Sequence, residues 1–139
     1  MTMIDMLFEA AAGGSIWAPT MYVSALVFRP LQTATPPVDF QLDPVLVGLF
    51  MQLLGSIFLS YLFAFYVAPR VPPQAIVVAG AAYGAIVFVI VSTLLLPLMN
   101  PAIFRLNGPA FGIAHVCWGT MLGAMIERAL AAPPSTHPL

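Results

Sequence analysis

The stretch from Asp43 to Arg70, DPVLVGLFMQLLGSIFLSYLFAFYVAPR, carries no charge between its two ends. A helix rises 1.5 Å per residue, and about 20 apolar residues cross the ~30 Å hydrocarbon layer of a bilayer. The segment therefore predicts a membrane-spanning helix over 45–68. Tyr61 and Tyr66 near its far end suit the interfacial level, where aromatic side chains gather.

The same spacing recurs outward in both directions. The four arginines and five acids are Asp5, Glu9, Arg29, Asp39, Asp43, Arg70, Arg105, Glu127 and Arg128, and there is no lysine. Long charge-free gaps also separate Glu9 from Arg29, Arg70 from Arg105, and Arg105 from Glu127. They predict further spans over 7–28, 74–98 and 109–131. The expected fold is all-α: an integral membrane four-helix bundle, one domain over 1–131, followed by a disordered tail at 132–139. Charged residues make up 6% of the chain, against about 25% in soluble proteins, which is too few to cover a soluble surface. Four spans leave no room for a soluble catalytic domain. On this reading the charges mark loop edges.

Prolines punctuate the spans. Pro19 lies inside the first and predicts a kink, because it cannot bond the carbonyl of Ser15. Pro30, Pro36, Pro37 and Pro44 break the longest loop. Pro69, Pro72 and Pro73 predict a tight turn that makes the second and third spans an antiparallel hairpin. Pro97 and Asn100-Pro101 end the third, and Pro109 suits the first turn of the fourth. An even number of spans puts both termini on one side. The arginines split evenly between the two sides, so the positive-inside rule fixes no orientation. The acid-bearing loop at 29–44 is the easier one to translocate, which favours termini in the cytoplasm. The acidic start, MTMIDMLFE, lacks the basic region of a cleaved signal.

Spans two and four echo each other: Gly48 aligns with Gly112, Gly55 with Gly119, Ser56 with Thr120 and Pro69 with Pro133. Spans one and three echo more faintly, Gly13 with Gly80 and Ala18 with Ala85. This pattern suggests two tandem related helical hairpins.

Composition excludes several function classes. Clustered Lys/Arg, the footprint of nucleic-acid binding, is missing, and the single Cys117 forms no internal disulfide. No phosphate-binding glycine loop or nucleophile-base pair occurs, so no enzyme activity is expected. No acid lies deep in a span, which argues against ion-coupled transport.

His115 stands out as the one histidine outside the tail. Gly112, His115, Gly119 and Gly123 recur at three- and four-residue steps and form one helical stripe. Gly80 and Gly84 make a similar small face in span three. Such faces bring helices close together. The stripe is expected to be a packing seam with His115 as a polar tie, and Gln52, at equivalent depth in span two, as the expected partner. A lone histidine supplies too few ligands for haem or metal, so no cofactor is expected.

The segments LLLPLMNP (94–101) and GPAFGIAHVCWGTMLGAMIE (108–127), with the small-residue first span, resemble an uncharacterised family of small four-span bacterial inner-membrane proteins, the YagU-like proteins. The resemblance covers most of the chain and rests on glycines, prolines and one histidine. It implies residence in the bacterial cytoplasmic membrane and carries no assigned activity. It also implies a second histidine in span two, where this chain has Met51.

The expected function is that of a non-catalytic accessory subunit of a larger membrane protein complex, respiratory or photosynthetic, with lipids and other integral membrane subunits as partners. The alternative is a small homo-oligomeric pore or carrier with a polar path at His115 and Gln52.

Overall fold

The computed structural model describes residues 2–34, 38–100, 102 and 107–131. Within them the chain is helical and forms no strand. The helices are α1 (Thr2–Ala11), α2 (Ala18–Ser24), α3 (Leu42–Leu62), α4 (Ile76–Ile90), α5 (Leu96–Met99) and α6 (Gly108–Ala131). Three continuous helical stretches are long and apolar enough to cross a membrane: Leu42–Arg70, Pro73–Leu94 and Gly108–Ala131. The tail expected to be disordered at 132–139 lies outside the described residues, as does the Pro36-Pro37 pair.

The region 7–28 forms two short helices instead of one long one. The break falls at Gly13, whose φ of 80° lies in the left-handed region that glycine enters without steric cost. Pro19 does not kink a continuing helix; it sits in the first turn of α2, where its missing N–H has no partner to lose. An apolar, charge-free stretch is equally compatible with a straight span and with a broken segment buried by its neighbours.

Burial decides between these here. Ala18, Pro19, Thr20, Met21, Tyr22 and Ser24 of α2 are all buried and Val23 is half-buried, so this short helix is largely enclosed. The irregular link at 12–17 that precedes it is largely exposed.

The longer helices contain two π-helical turns, Phe63–Val67 and Val91–Leu95. Each ends two residues before a proline, Pro69 or Pro97. A proline within a helix leaves the carbonyl four residues earlier without its donor and crowds it, and a wider turn absorbs both effects. Side chains serve nearby carbonyls. Ser92 Oγ donates to the Phe88 carbonyl at 2.6 Å, and Thr93 Oγ1 to the Val89 carbonyl at 2.6 Å. At the start of α6, Asn107 Oδ1 accepts from the Ala110 amide at 3.1 Å, the bond expected of a helix N-cap.

Two apolar clusters hold the ends of the molecule. One gathers Met21, Tyr22, Ala25, Leu31, Val45 and Phe111, with Phe88 and Val91 against it. The other is built on Phe63, Ala68 and Ile76, flanked by Tyr83, Leu122 and Ile126. Between them α4 and α6 run side by side, the most extensive helix pairing in the chain. The second is α2 on α3, and α1 lies against both α6 and α2. After their tight turn, α3 and α4 meet chiefly near that turn, where Phe63 and Tyr83 pack ring to ring at 5.1 Å. There Tyr83 Oη donates to the Leu59 carbonyl at 2.9 Å.

Candidate functional site

The α4–α6 seam is made of backbone against backbone. A Cβ placed on Gly80 would fall 3.1 Å from the Gly123 Cα, and one on Gly119 3.0 Å from the Gly84 Cα. On Gly123 it would meet the Ile76 carbonyl oxygen at 2.6 Å. Gly84 faces the backbone of His115 and Val116. The contacts step down one helix as they step up the other, so the pair is antiparallel. At the end of the seam Gly112 faces the Phe88 ring at 3.4 Å, a distance a side chain can accommodate. A seam this close excludes side chains and maximises dispersion contact, which is what holds helices together where no hydrophobic force acts between them.

His115 sits at this seam and is 2% exposed. Its Nδ1 lies 2.8 Å from the Phe111 carbonyl oxygen. A carbonyl only accepts, so Nδ1 carries the hydrogen and donates. The imidazole packs edge-on against Phe111 at 4.4 Å and lies 5.8 Å from the Phe88 ring. Its local tie is therefore to its own helix, and its surroundings are aromatic.

The structure thus brings Gly80, Gly84, Gly112, Gly119, Gly123 and His115 to one seam. Gln52 is placed elsewhere, half-buried on α3, which packs on α2 rather than along α6. Equal depth in a repeat does not make two residues neighbours. Gly48 makes a second close crossing, against the Thr20 backbone on α2, whereas Gly55 has nothing within 4 Å of a would-be Cβ.

A second polar group lies around the end of α2. Thr20 Oγ1 donates to the Trp17 carbonyl at 2.9 Å, and Ser24 Oγ to the Met21 carbonyl at 2.8 Å. Asn100 Nδ2 donates to the Tyr22 carbonyl at 2.6 Å, and Gln32 Nε2 to the Ala25 carbonyl at 3.0 Å. The last carbonyls of a helix lack their full set of intrahelical donors; at this buried end the Tyr22 carbonyl also accepts from the Ala25 amide at 3.3 Å, and the side chains take the place of water. Asn100 is fully buried, and among the described residues its Oδ1 has no hydrogen-bond partner.

Asp5 is also buried, at 5% exposure, and its Oδ1 is unpartnered. It does not sit at a wet loop edge as the charge pattern suggests. Burial pushes its carboxyl up to about 6, with the N-terminal charge acting in the opposite sense. Among the described residues no group of three His, Cys, Asp or Glu side chains is placed to hold a metal ion.

Sequence reasoning took Asn100 as a helix terminator and Asp5 as an edge charge. The one available signal for Asn100 was an amide amid LLLPLMNP; for Asp5 there was none. No protein-family model, curated protein or solved structure matches the chain.

Proposed function

We propose that the chain is a non-catalytic accessory subunit of a larger membrane protein complex in a bacterial cytoplasmic membrane. On this reading α3, α4 and α6 span the bilayer, and the broken α1–α2 segment packs among them as an incomplete fourth element. The observation that carries it is the bareness of α3. Only 11% of its most apolar 18-residue window is buried in its own chain, against 33% for α6. Phe50, Leu53, Ile57, Phe58 and Tyr61 all stand exposed along it, as does Phe65 in the π-helical turn that continues it. The extensive pairing of α3 is with α2, at the Gly48 crossing, and the rest of its length offers its surface to neighbouring subunits and lipid.

The α4–α6 pair supplies the complementary property, a stiff unit on which such a helix is mounted. The arrangement gives less support to a pore, because His115 and Gln52 belong to different helix pairs and the His115 ring is packed by Phe111 and Phe88. Extraction from the native membrane in a mild detergent, followed by native mass measurement, tests the proposal. Co-migration with a large complex is expected, and a respiratory or photosynthetic assembly is the first to examine. A uniform small homo-oligomer would overturn it in favour of the pore.

A further inference from the structure

The buried acid of α1 has no evident structural purpose. Helix α1 is turned so that Met3, Leu7 and Phe8 are exposed while Asp5 is buried and Glu9 is half-buried. An apolar side chain at position 5 would pack the same face without cost. A buried carboxylate oxygen without a donor is strongly disfavoured in its ionised form. The helix is joined to the rest of the chain through Gly13 in the left-handed conformation, with nothing within 4 Å of a would-be Cβ.

We propose that α1 is a proton-controlled flap, docked on α6 and α2 while Asp5 is protonated and released about the Gly13 turn when Asp5 ionises.

The elements packed against α1 bring few competing groups. Helix α6 carries His115, Cys117, Glu127 and Arg128; α2 carries Tyr22; Glu9 shares α1 itself. Among the described residues none is ion-paired with or hydrogen-bonded to the unpartnered Asp5 Oδ1. The N-terminal amine acts on Asp5 against the effect of burial. Released, the helix keeps one apolar face of Met3, Leu7 and Phe8 and one acidic face of Asp5 and Glu9.

The sign follows from linkage. The docked carboxyl holds its proton up to about pH 6, whereas a free one releases it near 3.8. The docked state therefore binds more protons, and raising the pH through this window favours release. Above both values the effect is complete. From about pH 5 to about pH 8 the ratio of released to docked α1 rises by up to about tenfold and levels off above about pH 7.

Hydrogen exchange reads that ratio directly, even when release is rare. The full chain in detergent micelles is compared with Asp5→Asn at each pH, which cancels the intrinsic pH dependence of exchange. The wild-type to Asp5→Asn rate ratio for the α1 amides is expected to rise about tenfold over this range, while α6 amides from His115 to Gly123 show no such change. A ratio that stays constant with pH would overturn the flap. So would a parallel rise in the α6 amides, which would mark global opening instead.

Discussion

The carbonyl oxygen of His115 occupies the space in which a Cβ on Gly84 would stand. Backbone thus fills the position where any other residue would put its side chain, and Gly80, Gly119 and Gly123 repeat the arrangement. Alanine at Gly80, Gly84 or Gly119 forces α4 and α6 apart. Overpacking costs about 1–3 kcal/mol, and a rigid backbone neighbour puts these sites at the upper end. Thermal unfolding in detergent should show a lower midpoint for each. Gly55→Ala is the control: open space surrounds that position, and alanine is the better helix former by about 0.5–1 kcal/mol. Its midpoint should hold or rise.

Gly48→Ala acts at the other close crossing. It should push α2 away from α3 through the Thr20 backbone without disturbing the α4–α6 seam. Faster hydrogen exchange confined to α2 and the first half of α3 is the expected result. Equal acceleration in α6 would show that the two crossings are not independent.

Asn100→Leu removes the side-chain donor that reaches the Tyr22 carbonyl at 2.6 Å and leaves that carbonyl with the Ala25 amide at 3.3 Å. Losing one hydrogen bond costs about 0.5–1.5 kcal/mol. The unfolding midpoint should fall modestly, and the Tyr22 carbonyl stretch should shift to higher frequency in isotope-edited infrared spectra. An unchanged spectrum would mean that the Ala25 amide alone sets the strength of this acceptor.

Tyr83→Phe keeps the ring contact with Phe63 and loses only the hydroxyl bond to the Leu59 carbonyl. Hydrogen bonds between membrane helices contribute about 0.6 kcal/mol on average. A small loss of stability is therefore expected, together with a wider spread of α3–α4 distances near the turn, measured between spin labels. A narrow, unchanged distribution would show that the apolar cluster at Phe63, Ala68 and Ile76 sets the angle unaided.

Much of this architecture was legible because it depends on one-dimensional quantities. The absence of charge from 44–69 and the prolines around Arg70 required nothing but counting, and helices of spanning length stand at 42–70, 73–94 and 108–131. The glycine stripe was legible because helical periodicity is fixed, so Gly112, Gly119 and Gly123 had to share a side with His115. What it faced was less open to inference. The steps of Gly80 and Gly84 matched it, but nothing in the spacing distinguished α3 from α4 as the partner of α6.

The region 7–28 was illegible for a different reason. Hydropathy reports apolar character alone, and a short buried helix such as α2 needs the same apolar side chains as a straight span in lipid. Gly13 and Pro19 were visible, but a left-handed turn and a proline in a first helical turn are backbone states that composition does not reveal. Asp5 misled by analogy with the other charges, which among the described residues do lie near helix ends or in loops. Its burial follows from the fold-back of α1, itself a product of that break.

The seam between α4 and α6 also has a genetic consequence. Glycine is the smallest residue the code offers, and every missense change of a glycine codon introduces at least a Cβ. At Gly80, Gly84, Gly119 and Gly123 there is consequently no conservative substitution available. Variation in this protein should be channelled to the outer faces of the pair, leaving four silent-only codons in two helices whose exposed apolar positions are free to drift.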